Sequence, residues 1–208
     1  THLVSALAMP HPLRCFVTDL PYEITGRTIG ARFLLLPSEQ FRRRALGIFA
    51  RAQQLFPAVS VYAFVIVSNH WHMIGSSTCG EELQLFIGFV QSNLAREVHR
   101  ERRGEWVGPV WSRRVRIIPC LTDNDVLKRF RYITSHGVKE GLVERPEQWP
   151  GASSAPALLG NMELVGEWID RTAYRNAKQA AARKAARRAA CAARAAKYAG
   201  AGDAGIAA

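Results

Sequence analysis

Residues 58–77, AVSVYAFVIVSNHWHMIGSS, decide how this chain folds. The first half is a nearly continuous run of β-branched and aromatic residues, the composition of a strand covered on one face and at least partly on the other. After Ser68 and Asn69 the apolar character resumes through HWHMIGSS, as a hairpin partner or a continuation of the same strand. His70 and His72 interrupt it. In a strand, side chains two apart face the same way, so both imidazoles project from one side while Trp71 points to the other. Two converging imidazoles are a metal-binding geometry, although an H-x-H spacing among six histidines is a weak signal by itself.

Upstream, YEITGRTIGARFLLLP reads as strand, bend and strand. From Ser38, Phe41, Ala45, Ile48 or Phe49, Ala52 and Leu55 recur at helical steps until Pro57. Downstream, Thr78 and Glu81 have capping-box spacing ahead of the apolar stripe Leu83, Phe86, Val90 and Leu94. That helix ends in a basic run from Arg96 to Arg103. A short strand is expected from Arg114 to Ile118, then a helix with acidic residues first and Gly137 last. The order strand, helix, strand, strand, helix, strand, helix predicts an α+β domain close to a split-βαβ arrangement, with its helices on one face of an antiparallel sheet.

The chain has 208 residues, 48% of them hydrophobic, enough for one good core. The expected division is a domain over residues 1–160 and a tail over 161–208. From about residue 171 the tail collapses to Ala, Arg and Lys, with high helix propensity and no apolar stripe large enough to pack. A net charge of +11 points to a polyanionic partner, nucleic acid or an anionic membrane surface. No apolar run approaches the roughly 20 residues that cross a bilayer, and THLVSALAMPHPLRCF is too short in its apolar part for a signal peptide. The expectation is a soluble, cytoplasmic, nucleoid-associated protein that binds nucleic acid and no membrane. Cys15, Cys79, Cys120 and Cys191 form no C-x-x-C pair, so neither a disulfide framework nor a thiolate zinc site is indicated, and buried or neutral thiols are expected.

The helix from Asp123 supplies what the histidine pair lacks. At 100° per residue, Val126, Leu127, Phe130 and Ile133 share one arc, while Asp125, Arg129, Tyr132 and His136 form a polar stripe. His136, one turn after Tyr132, can reach the same point in space. A metal held by His70, His72 and His136 would set a phosphate beside the Tyr132 hydroxyl, which could attack it in line to give a phosphotyrosine. The plainer reading of His136 is a cation at a helix C-terminus.

The motif SNHWH with the strand before it, GPVWSRR, and RYITSHGVKEGLVERPEQWPG together resemble the HUH single-tyrosine transposases, in the branch of the REP-associated tyrosine transposases. The resemblance spans roughly residues 15–155. It implies a ferredoxin-like antiparallel sheet, Mg²⁺- or Mn²⁺-dependent cleavage of single-stranded or hairpin DNA, and a covalent 5′-phosphotyrosine with a free 3′-OH. Carried over, His70 and His72 match the histidine pair, Tyr132 the nucleophile and His136 the third ligand. Relatives usually place Gln or Asn at that last position. A third imidazole makes the site softer, better suited to Mn²⁺ or a later transition metal than to Mg²⁺.

For DNA contacts, Arg113, Arg114 and Arg116 beside Trp111 supply the mix of cations and aromatic rings that grips unpaired bases, with Trp106 and Trp149 in loops. Arg27 and Arg32 at the first bend and Arg129 on the polar stripe are further candidates. Each arginine also fits a solvated surface, and each tryptophan simple packing. Two other functions fit the same residues: a non-catalytic hairpin-binding protein derived from such a transposase, and a metal phosphodiesterase that uses water instead of tyrosine. Among relatives both monomers and homodimers occur, so a second copy is one expected partner.

Overall fold

The computed structural model describes residues 15–160 and 162–201, with the side chains of 191–201 left out. The N-terminal stretch read above against a signal peptide begins outside the described residues, and so does the side chain of Cys191. The described chain runs β1 (Tyr22–Arg27), α1 (Glu39–Leu55), β2 (Val59–Val67), β3 (His70–Ser77), α2 (Gly80–Glu101), β4 (Arg116–Pro119), α3 (Asp123–Thr134), α4 (His136–Lys139), α5 (Ala155–Gly160) and α6 (Arg171–Ala201). The sheet order is β2-β3-β1-β4, with every neighbouring pair antiparallel. A βαββαβ succession in that order is the ferredoxin-like, split-βαβ arrangement.

β2 and β3 form a hairpin across Ser68 and Asn69, with Val67 opposite His70. Period-two alternation then sorts the sheet into two faces. Ile24, Phe64, Ile66, Trp71 and Met73 belong to the larger core, with Phe41, Ile48 and Phe49 of α1 and Leu83, Phe86 and Val90 of α2. Ala63, Val65, Val67 and Ile74 join Ile133 of α3 in a second, smaller core. The helices are therefore not all on one face: α1 and α2 cover one side and α3 crosses the other. The reason lies in β2 and β3, which carry apolar residues on both faces and so need cover on both. It is the α3 face that carries His70 and His72.

Other expectations shift in detail. The stretch after β1 forms no second strand. Gly30 and Ala31 take positive φ, 58° and 52°, and the consecutive Leu34 and Leu35 are both buried, which no period-two strand allows. Thr78 does not cap α2, because its N–H continues the hairpin to the Ala58 carbonyl at 3.1 Å. Cys79 is the N-cap, with no side-chain cap bond, and Glu82 accepts from the Ala58 N–H at 3.0 Å. A capping box does form at α3, between Thr122 and Asp125. Leu127, expected on the buried arc, is exposed, and β4 starts at Arg116 rather than Arg114. Of the described cysteines only Cys120 is buried; Cys15 and Cys79 are exposed and free.

Trp71, between the two histidines, is fully buried and stands edge-on to Phe49. A β-carbon on Gly26, its cross-strand partner, would collide with the indole. Trp71→Ala is expected to destabilise the domain by about 3–5 kcal/mol, through lost burial and the cavity left behind. Urea denaturation of the variant beside the parent chain measures it.

The chain divides into two compact units, one ending at Trp168 and the other beginning at Ile169. Past the expected boundary at residue 160, the Glu167 N–H donates to the Arg43 carbonyl at 2.8 Å and its carboxylate pairs with Arg44 at 2.9 Å. In the second unit Asp170 caps α6, accepting from the N–H groups of Thr172 at 3.1 Å and Ala173 at 2.9 Å. Among the described residues no helix is long and apolar enough to cross a membrane.

Candidate metal centre and DNA pocket

The α3 face of the sheet is apolar over β2 and polar over β1 and β4. Register sets Thr25 between His72 and Arg116, and Arg27 opposite His70. α3 lies across this boundary, fixed by Ile133 at its base, and brings Tyr132 to the polar side. The helix breaks at Ser135, and His136 opens α4, fully buried. The rings of His70, His72 and His136 lie 4.9 Å apart pair by pair, and one nitrogen from each falls within 4.8 Å of the others.

Two of the three rings are oriented by side-chain neighbours, while His136 Nδ1 is buried without a hydrogen-bond partner among the described residues. Asn69 Oδ1 accepts from His70 Nδ1 at 2.6 Å, which leaves Nε2 bare and 2.9 Å from His136 Nε2. His72 Nδ1 meets Thr25 Oγ1 at 3.0 Å and Glu23 Oε1 at 3.2 Å. His72 Nε2, on the far side of the ring from these partners, is buried and has no hydrogen-bond partner among the described residues. A buried ring nitrogen without a partner, set among two other imidazoles, fits the ligand set of a divalent cation. Burial, and then the neighbouring imidazoles, depress His70 to about 3 and His136 to about 4. Both rings are thereby kept neutral, the ligating form.

Tyr132 is half-buried, its ring 5.4 Å from that of His72 and 4.9 Å from that of His136. Lys139 Nζ sits over the phenol ring at 4.3 Å. Burial, followed by the charges of Glu140 and Glu23, pushes the phenol above its ordinary range. Glu23 is itself buried and pairs through Oε2 with Arg129 at 3.0 Å. Burial raises its carboxyl, but the His72 hydrogen bond and the Arg129 charge outweigh that and leave it lowered.

In front of His72 and Tyr132 opens a pocket of about 440 Å³, whose walls include Arg27, Arg113, Arg114, Arg116 and Arg129. Five of the seven proposed DNA-binding residues thus share one cavity. Arg32 and Trp111 do not. The Arg32 guanidinium stacks on Trp106 at 5.0 Å, and Trp111 packs against the larger core, its indole donating to the Gln91 carbonyl at 3.0 Å. Trp149 is buried and donates to the Ile66 carbonyl at 2.9 Å. Sequence reasoning missed Glu23, Thr25 and Asn69. The signal for the first two is the alternation in YEITGR, the same two-residue rule that paired the histidines.

Among solved structures, the fold is matched by a REP-associated tyrosine transposase bound to a REP hairpin. The alignment has 17% identity and a TM-score of 0.56, and it covers 77% of this chain and 93% of that one. The chain shares that transposase's fold. A second solved structure, a provisionally named transposase of Deinococcus radiodurans R1, aligns at 14% identity and a TM-score of 0.41, over 59% of this chain and 95% of that one, and adds nothing to the inference. No protein-family model and no curated protein matches the chain. At such identity the REP-associated transposase speaks for the fold, and the chemistry has to be argued from the side chains of this chain.

Proposed function

We propose that the chain is a transposase-like, metal-dependent endonuclease and strand transferase for single-stranded or hairpin DNA, with Tyr132 as its nucleophile. The observation that carries this reading is the convergence of three imidazoles and one tyrosine, with His72 and Tyr132 lining a pocket walled by arginines. His70, His72 and His136 would hold a divalent cation, which supplies polarisation of a phosphoryl oxygen and offsets its developing charge. The all-imidazole donor set favours Mn²⁺ or a later transition metal over Mg²⁺. The arginines seat the strand's phosphates and fix the reacting one in line with the phenol. The Tyr132 oxygen forms a bond to phosphorus as the bond to the 3′-oxygen breaks. The proton lost by the phenol balances the one gained by the departing 3′-OH, and the 5′-phosphate stays on the protein. Attack on that linkage by a 3′-OH reverses the step and joins strands without an external energy source.

Incubation with a hairpin oligonucleotide and Mn²⁺ tests the reading. A label at the 3′ end is expected to migrate with the protein on a denaturing gel, and a label at the 5′ end to appear on a shorter free strand. Tight binding with no adduct under any divalent metal would instead favour the non-catalytic reading. On this reading Arg116, opposite Thr25 on β4 and in the pocket wall, contacts phosphate. Arg116→Ala is expected to make the salt dependence of hairpin binding shallower by about 0.7, one single-strand phosphate contact, as measured by anisotropy across a salt series.

A further inference from the structure

The cleavage reading leaves α6 without a role. From Thr172 to Ala190 every residue is exposed, so the helix rests on the propensity of its alanines and on the Asp170 cap. No Asp or Glu occurs between Arg171 and Ala201. Arg183 with Arg187 and Lys184 with Arg188 stand one turn apart, like-charge pairs that weaken a free helix and that a polyanion would relieve. At 100° per residue, Arg175, Lys178, Arg183, Lys184, Arg187 and Arg188 leave no arc wider than about 80° without a cation.

This distribution discriminates among polyanions. A lipid surface needs a broad apolar face to insert, whereas α6 offers small alanines, with Tyr174 as the one aromatic ring between residues 171 and 190. A single strand is gripped by stacking on several rings, which α6 lacks. An acidic protein patch would reach one side of the helix and leave the rest of its charge unmatched. The major groove of B-form DNA, about 12 Å wide, admits a helix and lines it with phosphates on both walls. An alanine-rich helix is slim enough to approach the groove floor closely, as continuous basic helices do. The A-form RNA groove is too deep and narrow for one.

We propose that α6 seats in the major groove of duplex DNA, its arginines and lysines meeting phosphates on both walls, as an anchor separate from the pocket that would cut single strands. The inference goes beyond the cleavage reading and does not depend on it.

The test uses the full chain with Arg183→Ala, Lys184→Ala, Arg187→Ala and Arg188→Ala combined, substitutions that retain helix propensity, with helicity checked by circular dichroism. Binding is measured by anisotropy to a DNA duplex of about 20 base pairs and to the matching RNA duplex, and by sedimentation with phosphatidylglycerol vesicles, each over about 50–200 mM salt. The expected result is duplex DNA binding weakened roughly tenfold or more, with a salt slope shallower by about 3 to 4, and RNA-duplex binding changed far less. An unchanged DNA slope overturns the proposal. So does an equal loss on both duplexes, which would mean general attraction to polyanions, or a loss confined to vesicles, which would mean a membrane surface. Should neither protein form a covalent adduct while their DNA slopes differ, the cleavage reading fails and the α6 proposal stands.

Discussion

Tyr132→Phe is expected to abolish the covalent adduct, lowering hairpin cleavage by roughly a thousandfold or more, while binding of Mn²⁺ and of hairpin DNA stays within about twofold of the parent chain. The substitution removes one oxygen and keeps the ring. Among the described residues the phenol makes no hydrogen bond, and its ring contacts with His72, His136 and Lys139 survive in phenylalanine. None of the three imidazoles loses a hydrogen-bond partner, so the proposed cation site is untouched. The lost oxygen is also hard to replace. Burial and two carboxylates hold the phenol above its ordinary range, so it is protonated in the free protein, and on the cleavage reading it would become a nucleophile only with phosphate and cation bound. A substitute water would need both activation and positioning. Cleavage that survives Tyr132→Phe at parental rate, without an adduct, would transfer the site to the water-using phosphodiesterase reading and end the tyrosine one.

What could be read from the sequence, and what could not, follows from the range of the interactions involved. The hairpin, the helices α1, α2 and α3, and the shared face of His70 and His72 are period-two and period-3.6 patterns, local properties that a chain states explicitly. His70 and His72 do lie beside Tyr132 and His136, although α3 breaks at Ser135 and His136 opens α4 instead of continuing the periodic stripe. The side of the sheet that α3 covers is not local. It follows from β2 being apolar on both faces, which AVSVYAFVIV already indicates, and the expectation of all helices on one face left that information unused. Of the arc Val126, Leu127, Phe130 and Ile133, Leu127 alone is exposed, and His136 of the polar stripe is fully buried. Trp111 shows the opposite error. Its neighbours Arg113 and Arg114 face the pocket, but Trp111 pairs with Thr28 in an isolated bridge and turns its indole to α2, a choice set by cross-chain hydrogen bonds that no spacing announces. Glu23 was readable in principle and passed over because a lone carboxylate in a strand normally faces water; here His72 and Arg129 keep it buried.

That buried carboxylate gives the second large effect a gradient. His72→Ala is expected to reduce Mn²⁺ affinity by roughly a hundredfold or more and to remove the adduct, since it deletes the nitrogen that is buried and unpartnered. It also leaves Glu23 buried with Arg129 as its remaining strong partner. Glu23→Gln is milder. The amide oxygen can still accept from His72 Nδ1, so the ring keeps its orientation, but the charge that makes the imidazole a better metal donor is gone; a loss of about tenfold is expected. Glu23→Ala, which removes the acceptor as well, is expected to fall between that and His72→Ala, with Thr25 Oγ1 alone left to hold the ring. The order His72→Ala, Glu23→Ala, Glu23→Gln, read as Mn²⁺ dissociation constants from the free-ion resonance signal, separates orientation from charge. A general loss of packing around Glu23 would not produce it, because glutamine and glutamate fill the same volume. Equal Mn²⁺ affinity for His72→Ala and the parent chain would mean that the three imidazoles hold no cation.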